Sequence, residues 1–361
     1  DEKIYELLVT DQLDTKQVDY ITQPHQTFPR QEVVFAIHWH PEIVPMNLIK
    51  ERISKMYPNR QLEFIIPTQH NVIEIYDEFA GVEVDCYSKE FNRKVQLLLH
   101  FDKDKVDQMD RLKSMLTHTF KYRSSQLFEY IETIINPEKK ELLEEAVIQA
   151  GADDAIIELV KVYVQKLKSM IDKNYAQTPK VSIKNKLIRN YFQLLNEYFD
   201  DHVINKAQVF LKQVKKVVKK NFALDYFYET HEIIEEARAN GAGIVVPHPE
   251  QFWPILLADY DVDGYEVWNP QSREFTEFLI NAVIRKNRNK QYVNNPLLIF
   301  MGDDCHLGEK LIDPKYQIKE KARREIGYQP AWHEFNIRKS LILGNFGKRE
   351  VIEDYKNRLL H

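Results

Sequence analysis

VVFAIHWHPE, residues 33–42, runs a short β-branched and aromatic stretch into two histidines, His38 and His40. Residues i and i+2 of a strand point to the same face. If the strand persists, both imidazoles can reach one ion together. Alone, a His-x-His pair is more often incidental than a ligand set, so the rest of the chain has to decide.

Working outward, NLIKERISKMY (47–57) places Leu48, Ile49, Ile53 and Met56 at helical spacing, and LEFIIP (62–67) is a second apolar run ended by Pro67. Strand, helix, strand is the βαβ pattern of a parallel sheet. GVEVDCY (81–87) and VQLLLHF (95–101) read as the third and fourth strands, and GIVVP (243–247), YEVW (265–268) and LLIFM (297–301) as later ones. From about residue 103 the period changes. In NPEKKELLEEAVIQAG (136–151), Asn136 is an N-cap, Pro137 takes the first position, and Gly151 follows the last turn. DDAIIELVKVYVQKLKSMI (153–171), IKNKLIRNYFQLLNEYF (183–199) and AQVFLKQVKKVVKK (207–220) are periodic helices. The predicted division is an extension over 1–30, strand-rich segments over 31–102 and 229–310, a helical insertion over 103–228 between them, and a helical tail over 311–361.

The chain has 361 residues, 43% of them hydrophobic, enough to bury a sizeable core. A net charge of −5 does not suggest a general nucleic-acid or membrane binder. Two cysteines, Cys86 and Cys305, without paired spacing argue against a disulfide framework or a zinc finger, and with no secretory signal the expected location is cytoplasmic.

Six of the twelve histidines fall at or just beyond predicted strand ends: His38, His40, His70, His100, His248 and His306. Carboxyl edges of parallel strands are where α/β folds build sites. Glu83, Asp303 and Asp304 share that edge. Imidazole and carboxylate together suit Zn, Mn or Fe, and clusters of this kind hydrolyse phosphate esters. The remaining histidines (His25, His118, His202, His231, His333 and His361) read as surface or capping residues.

The order HWH, TQHN, GVEVD, LLLHF, VPHPE, GYEVWN, GDDCH resembles the polymerase and histidinol phosphatase (PHP) superfamily, over residues 31–102 and about 240–307. The resemblance implies an α/β fold: a distorted (β/α)7 TIM-like barrel, here with a large helical insertion and a C-terminal helical segment closing the barrel. It implies two or three divalent ions, Zn, Mn or Fe. By analogy one ion takes His38, His40, Glu83 and Asp304, a second takes Glu83, His100 and His248, and a third takes His70 and His306. The implied activity is hydrolysis of a phosphomonoester on a small molecule by a metal-bound hydroxide, with His70, His306 and Asp304 nearest to the chemistry. The family's acidic motif after the paired histidines is absent, Glu42 being the nearest substitute, and Gln69 replaces an aspartate. Glu266 and Asn269 are expected to support the ligands, and Arg273 either to meet a phosphate or to stay solvated. Two alternatives stay open. One is a phosphodiesterase or nuclease on DNA or RNA, using the Lys212–Lys220 run. The other is a non-catalytic, metal-stabilised interaction module.

Overall fold

The computed structural model describes residues 2–289, 292, 294–315 and 317–360. The chain forms two compact units, one of Asp1–Leu13 with Lys121–Ala223, the other of Asp14–Phe120 with Leu224–His361.

The first unit is helical. Its longest helices are Asp154–Asn174 and Asp201–Asn221. Asp153 caps the former through its side chain, which accepts from Ile156 N at 3.0 Å. Asn136 caps a 3₁₀ turn, Pro137–Lys139, before the helix Lys140–Ala150, which ends at Gly151 with φ 61°. The lysine-rich helix is amphipathic. Val214, Val217 and Val218 are buried, while Lys212, Lys216, Lys219 and Lys220 are exposed. Glu2–Val9 adds Tyr5 and Val9 to this core, and the Tyr5 hydroxyl meets Thr178 Oγ1 at 2.7 Å.

The second unit carries the strands: β1 (Val33–Ala36), β2 (Trp39–His40), β3 (Leu62–Ile65), β4 (Glu74–Tyr76), β5 (Phe79–Ser88), β6 (Arg93–Asp102), β7 (Gly243–Val246), β8 (Gly264–Trp268), β9 (Leu298–Met301) and β10 (Cys305–His306). Six of them form one mixed sheet, in the order β4-β5-β6-β7-β8-β9, and β1 with β3 and β2 with β10 form two parallel pairs. Helices Asp110–Phe120, Thr230–Ala239, Thr276–Lys286 and Lys348–Leu360 bury apolar residues in the same core as the large sheet. Among the described residues no helix is long and apolar enough to cross a membrane.

This overturns the expected (β/α)7 barrel. No closed barrel forms among the described residues; the fold is α/β with a mixed sheet and two small parallel sheets. The cause is the connection after β5. Only residues 89–92 separate it from β6, and a parallel crossover needs roughly ten or more. The pair is therefore an antiparallel hairpin, registered from Phe79↔Asp102 to Ser88↔Arg93. β6 and β7 are also antiparallel; only β7, β8 and β9 run parallel within this sheet. Backbone bonds join the segments around the three sheets. Thr68 N donates to Trp39 O, Glu83 N to Gln69 O, Asn71 N to Glu83 O, and Asp304 N to His38 O.

Candidate metal centre

Those bonds all lie around one group of side chains. His38 and His40 flank Trp39, and both rings are buried. Glu83 sits in the middle of β5, and His70 bridges to it from the turn after β3. His248 follows β7, and Asp304 and His306 follow β9.

Glu83 is the hub. Its Oε1 lies 3.8 Å from His38 Nε2 and 3.6 Å from His248 Nε2, and its Oε2 lies 3.7 Å from His40 Nε2. His70 Nδ1 comes within 2.6 Å of the same Oε2, but out of line for a hydrogen bond. Asp304 faces the group from the other side. Its Oδ1 is 3.8 Å from His38 Nε2, 3.7 Å from His40 Nε2 and 3.3 Å from His306 Nε2. Its Oδ2 is already occupied, accepting from Gln271 Nε2 and from an Arg324 guanidinium nitrogen, each at 2.6 Å.

Inward atoms lack partners. His38 Nε2, His40 Nε2 and Glu83 Oε2 are buried without a hydrogen bond. Buried polar atoms are normally paired, so a convergent set of orphans calls for something between them. The four nitrogen–oxygen distances from His38 and His40 to Glu83 and Asp304 are 3.7–3.8 Å, with Glu83 turning Oε1 to His38 and Oε2 to His40. Ligand atoms about 2.1 Å from a tetrahedral ion lie about 3.4 Å apart, close to this spacing. Two overlapping groups, His38-His40-Glu83 and His40-His70-His306, each bring three ligand atoms within 4.8 Å of one another. These residues could hold a metal ion.

Electrostatics agree. Burial would depress the His38 imidazole, but Glu266, Asp304 and Glu83 overcome it and raise it to about 10. Burial likewise opposes His306, yet Asp304 and Glu42 raise it to about 9. His40 is held well below the usual histidine range by burial and by His306 and His70 beside it. Its ring lies close to both, with centroids 4.4 Å from His70 and 4.0 Å from His306. Burial alone would raise Glu83 and Asp304, but their histidine neighbours hold both well below the carboxylate range. Two carboxylates balanced by protonated imidazoles are what a cation would replace.

Backbone strain gathers here too. Of seven non-glycine residues with positive φ among the described residues, four surround the group: Glu42, Asn71, His248 and Asp304. Such strain persists where the surroundings over-determine it, often at functional sites.

His100 stands apart. Its Nδ1 meets the Tyr355 hydroxyl at 2.6 Å and its Nε2 meets Ile37 O at 3.0 Å. Both nitrogens are thus engaged, and burial pushes the ring down to about 3. The resemblance grouped His100 with Glu83 and His248. β6 is antiparallel, so His100 pairs with Gly81, two residues before Glu83. It fixes the carbonyl just before His38 instead of joining the cluster.

Supporting contacts complete the centre. Glu266 Oε2 meets His38 Nδ1 at 2.6 Å, and Asn269 Nδ2 donates to Glu266 Oε1 at 2.7 Å. A Cβ on Gly302 would lie 2.4 Å from that carboxylate. Glu42 Oε1 is 3.7 Å from His306 Nδ1, while Gln69 turns its amide to Glu42 O at 3.4 Å. Cys305 is buried, its Sγ 3.2 Å from Arg324 O. Sequence reasoning missed Gln271 and Arg324, which hold Asp304. It also missed Asn71, whose amide clamps Asp85 at 2.7 Å through Nδ2 and accepts from Asp85 N at 3.0 Å. Gln271 and Arg324 lie in none of the motifs that carry the resemblance, whereas Asn71 closes TQHN.

No protein-family profile and no curated protein matches the chain. Among solved structures it is similar to the "putative metal-dependent phosphoesterase" from Bifidobacterium adolescentis, at 15% identity and a TM-score of 0.45, over 88% of this chain and 96% of that one. A likeness at that score carries no weight, and the functional reading rests on the residues.

Proposed function

We propose that the chain is a metal-dependent phosphoesterase. The observation that supports this most is the set of inward imidazole and carboxylate atoms of His38, His40, Glu83 and Asp304, spaced 3.7–3.8 Å apart with the histidine nitrogens unpartnered. The order of motifs, which resembles the PHP superfamily, supports phosphate esters as the substrate class.

His38, His40, Glu83 and Asp304 would hold one divalent ion. Glu83 with His248, and His70 with His306, would contribute to a second. Bound ions would polarise a phosphoryl group and lower the pKa of a water. The chain does the rest. Glu266 keeps the Nδ1–H tautomer of His38, so that Nε2 faces inward. Gln271 and Arg324 hold Asp304 with Oδ1 turned to the histidines. His70 and His306 are the partly exposed members, with side chains 24% and 27% accessible. Where these two hold no ion, either is placed to pass a proton to a departing alcohol.

Metal content by mass spectrometry, on protein purified without chelator, is the test. Two or more equivalents of Zn, Mn or Fe are expected, falling in His38→Ala and Asp304→Ala. A phosphoester panel on the loaded protein follows. Folded protein that neither contains nor takes up metal would overturn the reading. If His70 or His306 donates the proton, its alanine variant loses turnover by a larger factor than metal. Equal losses would remove that role.

A further inference from the structure

A cleft of about 650 Å³ lies beside the metal-ligand cluster. Trp268 and Tyr328 contribute aromatic walls, and Arg273, Arg323 and Arg324 line it. Arg324 joins cleft and centre: the guanidinium that holds Asp304 Oδ2 at 2.6 Å also lines this space. Its side chain is 9% accessible, and its Nε is buried without a partner. Arg273 lies 5.8 Å over the Trp268 ring, and neither it nor Arg323 has an ion pair among the described residues.

The acids of the lining do not cancel these charges. Glu325 is committed to Arg52, which donates to it at 2.6 and 3.1 Å, and to Lys310 at 2.9 Å. Asp303 accepts from Gly327 N at 2.8 Å and from Cys305 N at 3.3 Å. That leaves Glu320, and Asp303 with neutral donors only, against Arg273 and Arg323, which have no ion pair among the described residues, and Arg324, which is held on Asp304. Guanidinium groups bind carboxylate and phosphate oxygens with charge-assisted, often paired hydrogen bonds.

We propose that this cleft is an anion subsite, taking a second acidic group (carboxylate or phosphate) of the ester whose phosphoryl group meets the neighbouring centre. The anion site stands on the cleft alone; its place in substrate recognition rests on the phosphoesterase reading. The substrate is then a phosphate ester with a further acidic group rather than a simple monoester.

Two measurements test this. Protein stripped of metal with EDTA is titrated calorimetrically with inorganic phosphate, as wild type and as Arg273→Ala/Arg323→Ala. Saturable binding is expected, weakened about tenfold or more in the variant. No saturable binding, or binding indifferent to the substitutions, overturns the subsite. Metal-loaded protein is then compared on phenyl phosphate and 4-carboxyphenyl phosphate, which differ by one carboxylate. A lower KM for the carboxylated ester is expected, with the ratio of the two KM values approaching one in the variant. Equal KM values in wild type overturn the substrate assignment. Phosphate binding without hydrolysis of either ester counts against the phosphoesterase reading and for the anion site. Hydrolysis without phosphate binding counts the other way.

Discussion

His38 is held by Glu266, and the centre depends on that bond. Glu266→Gln removes the charge that fixes the His38 tautomer. Losing such an outer partner typically costs about 10–100-fold in metal affinity, and that loss is expected in a chelator competition with the fold retained by circular dichroism. Unchanged affinity would mean that the ring is oriented by packing alone. Gly302→Ala should act in the same direction, because its Cβ would come 2.4 Å from the Glu266 carboxylate. The pH behaviour follows from His38 and His306. Their imidazoles are raised from 6.5 to about 10 and about 9. A raised folded-state value stabilises the metal-free protein fully below pH 6.5, and that stability is lost as pH climbs through 9 to 10. The Tm of metal-free protein should therefore fall over that window, and metal binding at neutral pH should release protons, seen as a dependence of the calorimetric heat on buffer ionisation. A flat Tm and buffer-independent heats would refute the protonated pair.

At the scale of elements, the β5–β6 hairpin separates His100 from the cluster. Tyr355, from the helix Lys348–Leu360, meets His100, and His100 in turn reaches the end of β1. Tyr355→Phe leaves His100 Nδ1 buried and unpaired, which costs about 1–3 kcal/mol. Urea denaturation should show that loss while metal equivalents stay at the wild-type number. Loss of metal with no loss of stability would return His100 to the ligand set. The hairpin was legible in the chain: only seven residues part GVEVDCY from VQLLLHF, too few for a crossover helix. The lysine-rich helix was legible too, because its valines recur at the spacing that buries one face.

At the scale of the whole molecule there are two hydrophobic cores, one in each unit. The candidate ligands all belong to Asp14–Phe120 and Leu224–His361. A ligand that binds only the folded state stabilises it by about 4 kcal/mol at a thousandfold excess over Kd. Added zinc or manganese should raise the thermal transition of the strand-bearing unit and slow amide exchange in β1 and β5. Exchange in Asp154–Asn174 and Asp201–Asn221 should not change. Equal protection of both units would contradict a centre confined to one.

The sequence alone determined the residue types and the local periods. Those were enough to place imidazoles and carboxylates beside short apolar strands, and helices through the middle of the chain, because strand and helix repeats are local properties. It did not determine how the strands assemble into sheets. The short link before β6 fixes that strand's direction against β5, but the antiparallel pairing of β7 with β6 depends on which edges meet, a contact between residues far apart in the chain. The tertiary structure alone decided that His100 faces Tyr355 and Ile37, that Arg324 and Gln271 leave Asp304 one inward oxygen, and that an arginine-lined cleft opens beside the centre. Each is a meeting of side chains from separate segments, brought together by burial and by the need to pair every polar atom that burial removes from water.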